Sequence, residues 1–259
     1  NLHIRTIAKT NDAIHRLLGV GIAFPGEVSA DRDYVIRSTV LGVKNLSIAE
    51  IQKHFSYQVY VEYGANAAGF GTVWRSKELK DAVYVIVTNN GVAGSIILNN
   101  EIYHGRTGRA GAFGHITLNP SGRKCFCGAC GCWSAYNALN ALTGLDETDL
   151  DGFFEKVNNE DPDAIAKWDE YLTYFADGLS TVSMSFDIDI VIGGPLAVYL
   201  EPWLDTIISK MQSRPTLNGE NISIHLDTKS ESPMAEGVAL MIVAKFLNDE
   251  LDNFRFDEL

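Results

Sequence analysis

The sequence predicts an α/β fold, and three observations carry that prediction. Short apolar runs bounded by Gly, Asn and Asp read as strands at 19–26, 57–62, 81–88, 92–98, 187–193 and 221–226. Between them, at 47–55, 65–76, 132–143, 162–185, 200–212 and 232–248, apolar residues recur three and four apart and read as helices. Strands interleaved with helices build parallel or mixed sheets. A length of 259 residues is enough for one large domain or for two lobes sharing a cleft, each with its own core.

Bulk composition narrows the function classes. Hydrophobic content of 46% and charged content of 21% are ordinary for a globular chain, and no apolar run approaches the length of a membrane helix. The opening residues, Asn1 to Thr6, lack a signal-peptide pattern, so the expected address is the cytoplasm, with no membrane partner. A net charge of −12 repels phosphate backbones, which excludes a body that is mostly nucleic-acid surface while leaving room for a small basic module attached to it.

Taken in order, residues 1–18 read as a short amphipathic helix with Ile4, Ile7, Ile14, Leu17 and Leu18 as its apolar positions. The run Gly19–Gly26 reads as a buried strand ending in a tight turn. The segment Val61-Glu62-Tyr63-Gly64-Ala65-Asn66 is a strand–helix junction, where a polar residue such as Glu62 can face a cleft. Thr88–Ser95 joins two strands through Asn90-Gly91; its small residues suit either an anion-binding turn or a plain hairpin, and the plain hairpin is the stronger reading. Asp187–Pro195 is a buried strand ending in Gly193-Gly194, which fits a ligand at a strand end or simply a tight turn.

The cysteines are more specific. All four fall between Cys125 and Cys132, where a disulfide framework would spread them along the chain. His115, Cys125, Cys127 and Cys132 offer one imidazole and three thiolates, a standard tetrahedral zinc set, and Gly128 and Gly131 let the loop fold back on itself. Four protein ligands leave no open position, so the site is expected to be structural. Cys130 is either a spare thiol or a competitor for one position.

Together these segments, in this order, resemble the ROK family of bacterial sugar kinases and sugar-responsive repressors. The resemblance runs from Gly19 to about Leu247 and is most specific in Gly114-His115, Pro120 and the Cys-x-Cys-Gly-x-x-Gly-Cys run ending at Cys132. It implies a two-lobed actin-like ATPase (ribonuclease H-like) fold with a zinc-binding loop. Residues 1–18 are similar to the first helix of the winged helix-turn-helix in family repressors. The rest of that module, and the family's first phosphate loop, Asp-x-Gly-Gly-Thr, are not in the chain. The expected division is therefore a DNA-binding fragment over 1–18, a domain-sized segment absent between 18 and 19, and a kinase-like body over 19–259.

Departures from the family pattern set the functional expectation. The catalytic aspartate position is Gly64, which cannot take a proton from a sugar hydroxyl. The sugar-binding positions are Val40, Ala112 and Ser134 in place of Asn, Glu and Glu, leaving His115 as the one usual contact. The resemblance thus implies a transcriptional regulator, a repressor, whose catalytically inactive body senses a sugar or sugar derivative, contacts an operator through its N-terminal module and forms a homodimer or tetramer. The alternatives are a sugar kinase using another base, with Glu62 or Asn66 in position, and a pseudokinase scaffold that does not bind DNA.

Overall fold

The computed structural model describes residues 17–144, 149–219 and 221–253. In chain order the strands and helices are β1 (Val20–Phe24), β2 (Glu27–Val28), β3 (Tyr34–Ser38), β4 (Val43–Ser47), α1 (Ile48–Gln52), β5 (Val59–Tyr63), α2 (Gly64–Arg75), β6 (Ala82–Thr88), β7 (Gly91–Leu98), β8 (Glu101–Ile102), α3 (Ser134–Asn137), α4 (Asn140–Thr143), α5 (Leu150–Asn158), α6 (Pro162–Phe186), β9 (Asp189–Gly193), α7 (Leu204–Gln212), β10 (Ile224–Asp227) and α8 (Pro233–Asn253). They divide into two compact units. No helix among the described residues is long and apolar enough to cross a membrane.

The first unit takes the described residues up to Arg75, His104–Arg109 and those from Ser232 onward. β1 pairs in parallel with β5, from Val20↔Val59 to Phe24↔Tyr63, and β2, β3 and β4 form a separate antiparallel sheet. Phe24, Val28, Val35, Val59 and Val61 make its buried core. On the other side α2 and α8 cross at backbone distance. A Cβ on Gly237 would lie 1.8 Å from Ala67 O, and one on Gly71 would lie 2.9 Å from Gly237 Cα, so the small residues of both helices are what allow the crossing.

The second unit holds Ser76–Tyr103 and Ala110–Glu231. Its sheet runs β10-β9-β6-β7-β8, parallel from β10 to β6 and antiparallel beyond. The apolar run Ala82–Val87 of β6 is buried throughout because helices and loops cover both faces. Asp161 caps α6 by accepting from Ala164 N, Pro162 opens it, and Leu172, Phe175, Leu179 and Val182 face the core.

Three expectations need correction. The single helix read at 132–143 is two single turns, because Leu139 N and Asn140 N donate to Thr88 O and Asn89 O in the β6–β7 turn, and Ala138 is extended. Residues 27–47, read without strands, form β2–β4. The helix α5 has no counterpart among the expected helices, although Leu150, Phe153, Phe154 and Val157 are spaced as one buried stripe and Asp149 caps it. The helix expected over 1–18 falls on residues 1–16 outside the described ones; Leu17 and Leu18 lie outside any helix or strand.

Candidate metal centre

The short 3-10 turn Phe113–His115 in the second unit delivers His115. Gly114 is required there, since a Cβ would lie 2.0 Å from Val92 O. The cysteine loop then folds back on itself: Cys125 N donates to Ala129 O at 2.8 Å, Gly131 N to Arg123 O at 2.8 Å, and Thr117 bridges Cys132. Gly131 has φ +78, and a Cβ on it would lie 1.6 Å from Asn119 O.

These turns gather the four predicted residues. One ligand atom from each of His115, Cys125, Cys127 and Cys132 lies within 4.8 Å of all the others. Cys127 Sγ is 3.7 Å from Cys132 Sγ, and Cys125 Sγ is 3.9 Å from His115 Nδ1. A zinc tetrahedron with bonds of about 2.3 Å has edges of about 3.8 Å, so the spacing fits the ion. Burial and the neighbouring sulfurs of Cys127 and Cys125 push Cys132 up to about 12, so these thiols resist ionising together unless a cation joins them. Cys130 is exposed and lies outside the cluster.

The loop is fastened to the core on both flanks. Trp133, directly after Cys132, is fully buried, and a Cβ on Gly178 of α6 would lie 2.1 Å from its ring. Arg123 forms a forked ion pair with Glu170 and lies over the Tyr136 ring, which stacks on Tyr174.

The altered positions have definite surroundings. In the first unit Gly64 opens α2, and a Cβ there would lie 2.8 Å from Met234 Sδ. Val40 is 64% exposed. In the second unit Ala112 is exposed, while Ser134 is buried with its hydroxyl turned to the backbone, accepting from Val92 N at 3.0 Å. The Asn89-Asn90 turn receives backbone bonds from α4, and Gly193 is needed because a Cβ would lie 1.9 Å from Tyr84 Oη. Both glycine-bearing motifs are thus accounted for by turn and packing geometry.

Sequence reasoning missed one buried ionic group. Glu62 Oε2 accepts from Arg32 Nε and His104 Nε2, each at 3.0 Å, and Oε1 accepts from Asn66 Nδ2 at 2.8 Å and Tyr63 N at 2.9 Å. Burial raises the carboxyl's pKa, but the His104 bond and charge, the Asn66 bond and the Arg32 charge outweigh it and hold Glu62 below its ordinary 4.5. With the folded value below the unfolded one, ionised Glu62 stabilises the fold above about pH 4.5, and that contribution is lost as pH falls through the folded value. Glu62→Gln is expected to lower stability at pH 7 by about 2 kcal/mol and to flatten the acid limb of a stability–pH curve. A Gln variant with an unchanged acid limb would show that the network carries no net stabilisation.

Three comparisons place these features among known proteins. The sequence model of the ROK family matches residues 4–237. A xylose repressor of Caldicellulosiruptor bescii is 30% identical over 127 residues, 48% of this chain and 32% of that protein. A glucokinase of Halalkalibacterium halodurans is 30% identical over 115 residues, 43% of this chain and 35% of that protein. The matched stretch therefore spans about a third of each relative's length. A ROK family glucokinase from Streptomyces griseus superposes with a TM-score of 0.77 at 23% identity, covering 92% of this chain and 86% of that one, a likeness of fold.

Proposed function

The chain belongs to the ROK family, and on that premise we propose that it is a transcriptional regulator, of the repressor kind, whose kinase-like body binds a ligand without phosphorylating it. One observation carries the reading: the place of the family's general base is Gly64, and the Met234 thioether stands where a side chain would begin. Phosphoryl transfer to a hydroxyl needs a proton acceptor within hydrogen-bond reach, and none is provided there. The xylose repressor among its relatives supports the regulatory half.

The sugar-kinase reading draws on the glucokinase relative, with Glu62 as the substitute base. Against it, both Glu62 oxygens are engaged and its pKa is held low, which makes it a weak proton acceptor. Asn66 has no titratable group.

Zinc held by His115, Cys125, Cys127 and Cys132 supplies no chemistry in this proposal; it ties the loop to the helices behind it. The effector is a sugar or a derivative less dependent on carboxylate contacts, since Ala112 and Ser134 stand where the family has glutamates. Residues 1–18 serve as the start of the DNA-binding module, and a homodimer in the cytoplasm presents two such modules to an operator. The family match begins at residue 4, which favours a second reading of this segment as part of the body.

Two measurements test the proposal. A coupled assay with ATP and common hexoses is expected to stay at background, and clear turnover overturns the non-enzyme reading. Selection from random DNA duplexes by the full-length protein is expected to enrich one palindromic sequence; recovery of none overturns the regulator reading.

A further inference from the structure

One row of side chains in the first unit carries more positive charge than its own contacts balance. Glu27, Arg37 and Lys44 face one another across β2, β3 and β4, in the pairs Glu27↔Arg37 and Arg37↔Lys44. On the same face of the sheet the pair Val35↔Leu46 belongs to the core, so the row stands where that face leaves the core, and Arg37 and Lys44 are exposed. Arg109 joins the row from the segment His104–Arg109 of the same unit. Gly108, with φ +81, lets that segment lie directly on β2, since a Cβ there would lie 2.0 Å from Val28 O.

Glu27 sits between the two arginines. Its Oε1 accepts from Arg37 Nη2 at 2.9 Å and its Oε2 from Arg109 Nε at 2.8 Å. Burial raises the carboxyl's pKa, but the bonds and charges of Arg109 and Arg37 outweigh it and hold Glu27 below its ordinary 4.5, so it is ionised at neutral pH. Lys44 has no ion pair among the described residues. Three cations against one carboxylate leave two positive charges uncompensated. Cations directly opposite each other in a ladder, as Arg37 and Lys44 are, repel. A chain of net charge −12 is not short of carboxylates, yet none is placed to relieve this pair. Residues 1–16 carry Arg5, Lys9 and Arg16 against Asp12, so their composition adds positive charge and not the missing negative.

We propose that Arg37, Lys44 and Arg109 bind the phosphate of a phosphomonoester, with Glu27 setting the spacing of the two guanidinium groups. The two uncompensated charges match a phosphate dianion. Arg37 has committed only Nη2 to Glu27 and Arg109 only Nε, so each keeps N–H groups for phosphate oxygens, and Lys44 adds a point charge on the same face. The inference deepens the ligand-sensing reading and rests on it for the rest of the ligand. A sugar phosphate is a sugar derivative held by charge, which suits a chain with Ala112 and Ser134 where the family has glutamates.

The test is calorimetric titration of the 259-residue chain with inorganic phosphate and with a hexose 6-phosphate. Both are expected to bind, and Arg37→Gln and Arg109→Gln are each expected to weaken binding about tenfold, the size of one charge-assisted hydrogen bond. Lys44→Gln, an exposed change, is expected to act in the same direction, and it decides the matter if the arginine variants fail to fold. Lys53→Gln removes a positive charge elsewhere in the first unit and is expected to leave affinity unchanged. Affinity should also fall as pH drops through about 6, where phosphate takes up its second proton. No phosphate binding, or binding indifferent to all three substitutions, overturns the proposal. A hexuronate that binds as tightly as the hexose phosphate overturns the choice of phosphate. Random duplex DNA held by the chain and released by the same substitutions overturns it too, because the row then serves a nucleic-acid backbone. The kinase assay and the DNA selection test the regulator reading separately, so the two can fail independently.

Discussion

Stripping zinc from the His115–Cys132 loop with a strong chelator is expected to lower the melting temperature by on the order of 10 °C, and Cys132→Ala to do the same. Apart from a metal, the loop from Ile116 to Cys132 is held by backbone bonds, two isolated bridges, the Arg123–Glu170 pair and the packing of Ile116 and Leu118 on the core, and its cysteine-bearing tip has no apolar cluster of its own. A structural zinc contributes folding free energy directly, because its site does not exist in the unfolded chain. Loss of even about 3 to 4 kcal/mol moves a domain of this size by roughly 10 °C. The damage should spread along a defined route, since Cys132 is followed by fully buried Trp133, and Trp133 packs on Gly178. A red shift in tryptophan emission on chelation, absent in a Trp133→Phe variant, would report that route. Cys130→Ala is the control: it should keep one equivalent of zinc and the wild-type melting temperature, as its thiol lies outside the cluster. A protein that loses its metal without losing stability would show that the site is not structural.

The His115–Cys132 cluster was legible because its parts are local. Three of its four residues lie within eight positions, a density and spacing that point to a metal. The sheet of the second unit was legible for a similar reason, since the run Ala82–Val87 is apolar enough to announce a strand buried on both faces. β2–β4 were not, because their residues alternate with Arg, Lys, Asn and Ser and their turns rest on positive φ at Arg32 and Gly42. The two turns α3 and α4 were misread as one helix because backbone bonds to a distant hairpin override local periodicity. The Glu62 network was invisible for a simpler reason. Arg32, His104 and Glu62 meet only through the fold, and no spacing rule connects them.

On the regulator reading, a change at position 64 alone is expected not to give kinase activity. Gly64→Asp places a Cβ 2.8 Å from Met234 Sδ, so the thioether must move. Overpacking of this kind costs about 1 to 3 kcal/mol, toward the low end here because Met234 is flexible and only half-buried. Met234→Ala opens the space, and the double variant should be more stable than the sum of the two single changes predicts, by about 1 kcal/mol in a double-mutant cycle. That coupling is the signature of Met234 occupying the side-chain site of residue 64. Turnover with ATP and hexoses should nevertheless stay at background in all three variants. Ala112, Val40 and Ser134 offer none of the charged or amide contacts that would hold a sugar, and each such contact is worth about 1.5 to 3 kcal/mol. A millimolar site has only about 4 kcal/mol in total, so losing several leaves no bound substrate for a restored base to act on. Ser134 is the hardest to restore, because its hydroxyl is bonded to Val92 backbone in a buried position that a glutamate would disrupt. Clear turnover from Gly64→Asp alone would mean that the base was the one missing part, and that the rest of the pocket still recognises a sugar. Additive stabilities in the cycle would mean that Met234 and residue 64 do not share the space.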